Sequence, residues 1–409
     1  MQTKRVLASW LRTRRAMALS AADLRALRQR QWAKLQPALA RTPALAAHAG
    51  KPLSQFPITP IAALRGDYGA WNSLGLGDAD LRKLADASES GEGGEDLTAG
   101  WSTGSSGGAR GLFVASTSER ADYIGQSLAR LLPFSALLRS QRLALHLRAS
   151  NALYSDAGGK RLRFAHFPLD RPIHETAAAL AHYSPTILIA PPSRLLALAR
   201  AGSSLPQLQF LFVGSEPMSD AERDCIAVHF GMRPRAIFQA TEGFLGAECR
   251  EGKLHLNDHA LEIELHPLPG TNGFYPVITD LRRASQPIVR VAGDDFIELD
   301  DQPCRCRYAG RVIRAVQGRV TDIWHISGHR ITPPQVVAAV EAELGALWRW
   351  QAVAGADHTG LSVQPDCPPE VARRACAALE RLTGRSVTFS RDLPEWTGPK
   401  RRKVVWADG

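Results

Sequence analysis

Between residues 186 and 238 the chain alternates short apolar runs with amphipathic ones, and this rhythm constrains the fold more than any other feature. Thr186-Ile187-Leu188-Ile189-Ala190 reads as a buried strand ended by Pro191-Pro192, followed by a helix to Ala201. Phe210-Leu211-Phe212-Val213 is the next strand. Ser219 and Glu222 then form a capping box for a helix reaching Phe230, and Arg235-Ala236-Ile237-Phe238 follows as a strand. Strand–helix–strand repetition implies parallel pairing through right-handed crossovers, with ligands bound beyond the carboxyl ends of the strands. Glu216 and Glu242 fall just past two of those ends.

The flanks are organised differently. Ser20, with Asp23 three residues on, opens a helix through Leu35. Residues 85 to 111 are rich in acid, serine and glycine and read as either a linker or a functional loop, with the flanks arguing for the loop. Leu112 to Ala115 follow as a short strand, and Thr117-Ser118-Glu119 caps a helix to about Leu132. Beyond residue 318 the pattern becomes α+β: Pro333-Pro334 starts a helix to Leu344, 350–353 reads as a strand, 370–382 as a helix stopped by Gly384, and 387–390 as a last strand. The expected division is a large α/β domain over 1–317, its parallel-rich sheets flanked by helices, and a small α+β domain over 318–409. No internal repeat is present.

Composition narrows the function classes. The 409 residues carry 50 Lys and Arg against 40 Asp and Glu, a formal charge of +10, yet the longest basic run is only Lys400-Arg401-Arg402-Lys403. A dispersed excess of this kind does not suggest a nucleic-acid partner. No apolar stretch reaches the roughly 18 residues of a membrane helix, and Val6 to Trp10 is too short for a signal-peptide core. Six cysteines in a chain of this size do not form a disulfide framework, so a reducing, cytoplasmic setting is expected.

Ser102-Thr103-Gly104-Ser105-Ser106-Gly107-Gly108-Ala109-Arg110-Gly111 is the most informative stretch. Glycines allow backbone N–H groups to face an anion, hydroxyls add donors, and a cation completes a phosphate cradle. The Walker pattern does not fit, because no Lys-Ser or Lys-Thr follows the glycines.

This stretch resembles the Ser/Thr/Gly-rich loop of the adenylate-forming superfamily, which comprises acyl-CoA ligases, luciferases and adenylation domains. Ala109 stands where the family has proline and Arg110 where it has lysine. Gly214-Ser215-Glu216-Pro217 resembles the segment that lies against the adenine. Phe238-Gln239-Ala240-Thr241-Glu242-Gly243 resembles the motif whose glutamate holds magnesium and whose threonine touches the α-phosphate. Ile288 to Asp294 resembles the segment whose aspartate, here Asp294, accepts hydrogen bonds from the ribose hydroxyls. Gly318-Arg319-Val320-Thr321-Asp322, followed by Gly328-His329-Arg330-Ile331, resembles the family's hinge signature, which would put Asp322 at the pivot of a mobile lid. Pro394 to Lys400 resembles the family's tail with altered spacing, making Lys400 the catalytic lysine and Lys403 the alternative. The resemblance spans residues 100 to 403. The short length, Thr279-Asp280-Leu281, the residues from Gln286 to Arg290 and the Cys/His pattern are similar to the phenylacetate-CoA ligase and coenzyme F390 synthetase branch.

The resemblance implies attack of a small, aromatic or other carboxylate on the α-phosphate of ATP, giving an acyl-adenylate and pyrophosphate. Arg110 and the loop hydroxyls would hold the β- and γ-phosphates, with Mg2+ on Glu242 and Lys400 on the reacting groups. The acyl group would then pass to a thiol of CoA or of a carrier protein's phosphopantetheine. A nucleotide-binding homologue without ligase activity, and transfer to an amine, are the alternative readings. The acid would be chosen near Ser150-Asn151 and Phe238.

Cys249, His255, Cys304 and Cys306 form a Cys3His set suited to tetrahedral Zn2+, with His259 as the other imidazole. The same residues also fit free thiols beside an unrelated histidine.

Overall fold

The computed structural model describes residues 2–89, 96–106, 109–147, 162–314, 316, 318–393 and 402–407. Its centre is an eight-stranded sheet. From one edge to the other run Val312–Ile313, Leu254–Leu256, Gly243–Glu248, Arg235–Ala240, Phe210–Val213, Ile187–Ala190, Gln141–Leu145 and Leu162–His166. The five strands from Arg235–Ala240 to the far edge pair in parallel, as the alternation predicts. The chain then doubles back at Thr241-Glu242, so Gly243–Glu248 and the two strands beyond it are antiparallel. Burial explains the apolar runs: Leu188, Ala190, Leu211, Phe212 and Val213 are all at most 2% exposed.

The helices Ile173–Tyr183, Pro192–Arg200 and Asp220–Phe230 cover one face. The last begins with the expected box: Ser219 Oγ accepts from Glu222 N, and Glu222 Oε2 accepts from Ser219 N at 3.1 Å. Helix Thr117–Leu131 packs near the other face and is itself crossed by the N-terminal helix Gln2–Ala16. That crossing is close because position 125 is glycine; a Cβ there would lie 2.4 Å from Val6 O.

Three local expectations need correction. The helix opened by Ser20 runs to Ala40 rather than Leu35, carrying Pro37 inside it, because Leu35, Ala38 and Leu39 are all buried in the main core. The cap before Thr117–Leu131 is Ser116, whose backbone N–H is bonded in return by Glu119 Oε2 at 2.7 Å. Much of the stretch read as a loop is strand: Leu97–Ser106 and Ala109–Ser116 form an antiparallel hairpin with an irregularity between Trp101 and Ser105. Serine and glycine are poor strand formers, but the partner strand satisfies the backbone hydrogen bonds that local propensity leaves open.

A second sheet, ordered Thr59–Pro60, Val291–Ala292, Phe274–Asp280 and Leu261–Pro267, lies beside the first and shares its core. Residues from Trp324 to Val404 have a core of their own. It lies between helices Pro333–Leu344 and Pro369–Thr383 and a sheet ordered Thr388–Ser390, Thr359–Val363, Trp350–Ala354 and Val404–Trp406.

Candidate active site

The carboxyl ends of the parallel strands open into a cavity of about 280 Å3, which adjoins a second of about 130 Å3. Ser215, Ile237, Gln239, Asp295 and Arg319 line both, so the two form one cleft. Its polar part is built by turns that leave the sheet. After Phe210–Val213 the chain turns at Gly214-Ser215, with Ser215 in the left-handed region at φ +70°. A non-glycine residue held there is strained, and such strain gathers at ligand-binding turns. Glu216 and Pro217 line the smaller cavity, where Glu216 Oε2 also accepts from Ser193 N at 3.3 Å, at the start of helix Pro192–Arg200.

The next turn, Thr241-Glu242, faces the larger cavity. Ser102 reaches the same space from the hairpin, where its Oγ accepts from Gly111 N at 2.9 Å. Glu242 is only 7% exposed, and burial pushes its carboxyl above the usual range; the Arg65 and Arg283 guanidinium groups pull it back, and Asp294 opposes them. Arg283 also donates to Thr241 O at 2.7 Å and lies 3.8 Å from Asp280. Asp294 and Arg319 sit 3.7 Å apart on the cavity wall. Residues Phe238 and Gln239 stand near the end of the strand before this turn, a strand that closes at Ala240. Phe238 packs in the main core and faces the smaller cavity, while Gln239 lines both.

The larger cavity continues as an apolar lobe between helix Thr117–Leu131 and the parallel strands. Leu128, Leu131, Leu143, Leu145, Ile187 and Ile189 form its walls.

The residues singled out from the sequence are not all placed alike. Ser102, Gly214, Ser215, Gln239, Thr241, Glu242, Asp294 and Arg319 come together around the larger cavity. Arg110 is turned elsewhere: it forms a forked pair with Glu89, donates to Ser102 O at 3.0 Å and lies over the Trp101 ring, and it is not among the residues lining either cavity. Thr103, Gly104, Ser105 and Ser106 lie in the hairpin strand. Gly107, Ser150, Asn151 and Lys400 fall outside the described residues. Asp322 is 4% exposed and is held by Arg402 from the C-terminal segment; burial raises its carboxyl and Arg402 lowers it.

Arg65 and Arg283 are additions that the motifs did not reveal. Arg283 follows Asp280 by three positions, a spacing that could have marked it as a partner. Arg65, in the short helix Ile61–Gly66, carries no local signal at all.

Near the antiparallel edge of the central sheet, beside Val312–Ile313, Cys249, His255, Cys304 and Cys306 bring four ligand atoms within 4.8 Å of one another. The Cys249 and Cys304 sulfurs are 3.5 Å apart, and Cys306 Sγ is 3.2 Å from His255 Nε2. His255 Nδ1 lies 2.8 Å from Gly310 O, which fixes it as the donor and leaves the Nε2 lone pair facing the thiols. His259 is outside this group, with its Nδ1 3.0 Å from the Tyr308 hydroxyl.

No protein-family model matches the sequence, and neither does any curated protein. Solved structures do match. The chain aligns over 96% of its length with 91% of 2-hydroxyisobutyryl-CoA ligase in its post-adenylation state with 2-HIB-AMP, at 19% identity and a TM-score of 0.71. Against the same ligase in an open conformation and in the thioesterification state, the TM-score falls to 0.61 and 0.57. ATP-bound MatB from Rhodopseudomonas palustris matches at 13% identity and TM-score 0.54, over 74% of this chain and 66% of that one. The amide bond synthetase McbA from Marinactinospora thermotolerans matches at 14% and 0.53, over 76% and 69%. With its parallel sheet, its strand-end cleft and its separate C-terminal core, the chain has the fold of the adenylate-forming enzymes.

Proposed function

We propose that the chain activates an apolar carboxylic acid with ATP as an acyl-adenylate and passes the acyl group to a thiol, that of CoA or of a carrier protein. The observation that carries this reading is the cleft itself. One end gathers Ser102, Ser215, Thr241, Glu242, Asp294 and Arg319, a set of hydroxyls, carboxylates and a cation suited to a nucleotide, and the other end is a lobe walled by leucine and isoleucine.

A carboxylate oxygen would attack the α-phosphorus, the bond to the bridging oxygen of pyrophosphate would break, and pyrophosphate would leave with that electron pair. The thiolate sulfur would then attack the acyl carbon and displace AMP. Little acid–base chemistry is needed, so the protein's work is positioning and charge stabilisation. Asp294 would accept from the ribose hydroxyls, the Gly214–Pro217 turn would lie against the adenine, and the Thr241 hydroxyl would donate to the α-phosphate. Lys400 would neutralise charge on the α-phosphate and the carboxylate, with Asp322 as the pivot between a large domain, 1–317, and a lid, 318–409. Glu242, a buried acceptor-only carboxylate at the cavity wall, suits a hard divalent cation; Mg2+ bound there would screen the phosphate charges.

The Cys3His set fits Zn2+. A tetrahedral site needs its ligand atoms roughly 3.5–3.8 Å apart; the Cys249–Cys304 pair at 3.5 Å meets this, the Cys306–His255 pair at 3.2 Å is slightly tighter, and the imidazole already presents its lone pair. Four protein ligands leave no open position, so this zinc would tie the sheet edge together and take no part in the reaction.

One observation favours a second reading. Arg110, the replacement for the loop lysine, is engaged by Glu89, as would suit a homologue that binds nucleotide without turning it over. Transfer to an amine is the other variant of the first reading. ATP–pyrophosphate exchange with a panel of aliphatic and aromatic acids decides. Acid-dependent exchange is expected, and nucleotide binding without exchange across the panel would move the protein to the second reading.

A further inference from the structure

Lys403 joins the two cores. Its Nζ lies 2.8 Å from Glu222 Oε1, on helix Asp220–Phe230 of the large sheet region, and also contacts Glu341 Oε1, on helix Pro333–Leu344 of the C-terminal region. The three side chains are 13%, 2% and 6% exposed. A lysine this enclosed between two carboxylates is uncommon on a solvated tail and indicates a specific contact. One ammonium thus serves carboxylates from both regions. The guanidinium of Arg223, the next residue to Glu222, is bound to Glu248 at 2.8 Å. Glu341 Oε2 is buried with no hydrogen-bond partner among the described residues.

Glu222 has two tasks at once. Its Oε2 closes the capping box on Ser219 N, directly after the turn at Gly214–Pro217, and its Oε1 holds Lys403. Lys403 in turn leads into strand Val404–Trp406, which is hydrogen-bonded into the C-terminal sheet; Ala352 N donates to Lys403 O at 2.8 Å. A continuous path thus runs from the nucleotide-side turn to the chain segment that carries Lys400, three residues before Lys403 and within about 11 Å of it along the chain.

We infer that Glu222 is a positioning residue: through Lys403 it holds the C-terminal segment in the arrangement used for adenylation, and the Glu222–Lys403–Glu341 cluster is the contact released when the lid turns. The inference rests on the adenylating reading above. The physics makes the contact reversible. Rotation of the C-terminal region breaks the Lys403–Glu222 pair but keeps Lys403 with Glu341, since both belong to that region. Glu222 would regain water, which offsets part of the lost attraction, so neither position is held overwhelmingly. The higher similarity to the post-adenylation state of 2-hydroxyisobutyryl-CoA ligase than to its thioesterification state agrees with a lid held in the first of these positions.

The test is Glu222→Gln in the full chain. Glutamine keeps the cap on Ser219, a role it fills as well as glutamate, and removes only the charge that holds Lys403. Hydrogen–deuterium exchange without substrates should show faster exchange at 404–406 and unchanged protection at 220–230. The kcat of ATP–pyrophosphate exchange should fall about tenfold with the KM for the acid retained, while thioester formation from a supplied acyl-adenylate is spared. Lys403→Arg should keep most of the first half-reaction. Equal losses in both half-reactions, or amide exchange at 404–406 identical to that of the original chain, would overturn the inference. If the original chain shows no pyrophosphate exchange with any acid, the adenylating reading fails, and the amide-exchange comparison still decides whether Glu222 holds the C-terminal strand.

Discussion

Gly111 lies directly against the side chain of Thr241: a Cβ at position 111 would come within 2.5 Å of Thr241 Oγ1 and 2.9 Å of its Cγ2. The hairpin and the Thr241-Glu242 turn therefore meet through a contact that tolerates no side chain. Gly111→Ala is expected to destabilise the fold by about 1–3 kcal/mol, the usual cost of overpacking, and to raise the KM for ATP by displacing Thr241. Thermal unfolding and steady-state kinetics measure the two effects, and an unaltered KM for ATP would separate this contact from the nucleotide site.

Replacement of Lys400 by alanine is expected to lower adenylate formation by about 100-fold or more, while transfer from a supplied adenylate is retained, because the lost charge matters chiefly in the first transition state. Parallel assays of the two half-reactions check this. If Lys403→Ala alone produced the loss, the lysine roles assigned to the tail would be exchanged.

Glu242→Gln keeps the shape of the side chain and removes the anionic oxygen that a hard cation prefers. Magnesium-dependent turnover should be lost with the fold intact by circular dichroism. Full activity at limiting magnesium would remove Glu242 as the ligand.

Protein purified without a metal-binding tag should contain about one zinc per chain, and a strong chelator should lower the unfolding temperature. Zinc well below stoichiometry, with Cys304 and Cys306 freely alkylated in the native protein, would leave these residues as ordinary thiols.

His146 sets an acid limit on stability. It is fully buried, Arg194 Nε donates to its Nε2 at 2.9 Å, and its Nδ1 lies 2.8 Å from Phe167 O; burial lowers its pKa to about 4. The folded state therefore favours the neutral ring, so stability is complete above about pH 6.5 and falls as the unfolded chain takes up a proton, by ~2 kcal/mol at pH 5. Urea unfolding of the original chain and of His146→Gln at pH 7 and pH 5 measures it, since the variant should lack this part of the slope.

The parts of the fold that were legible share one property: local pattern and burial point the same way. Ile187–Ala190 and Phe210–Val213 are apolar runs between proline and capping signals, and they are central parallel strands. The hairpin was hidden because Leu97–Ser106 acquires its strand character from the partner 109–116, which no local window contains. Thr59–Pro60 and Val291–Ala292 are two residues each and pair across more than 200 positions. The site followed the same division. Thr241, Glu242 and Asp294 stand in recognisable motifs, whereas Arg65 acts on the Glu242 carboxyl through its charge, from a helix far upstream. Arg110 was expected beside phosphate; Glu89, 21 positions earlier, takes it up instead.

The order in which the polypeptide leaves the ribosome gives the central sheet a further meaning. Its edge strand, Val312–Ile313, is the last of the eight to be made, and it precedes every residue from Trp324 onward that forms the C-terminal core. All eight strands can thus assemble while the final quarter of the chain is still being synthesised. Arg200 and Glu222 are points of that finished body that meet the C-terminal region only later. Glu222 Oε2 is satisfied early by Ser219, whereas the Glu222–Lys403 pair forms only when the last strand of the C-terminal sheet is made.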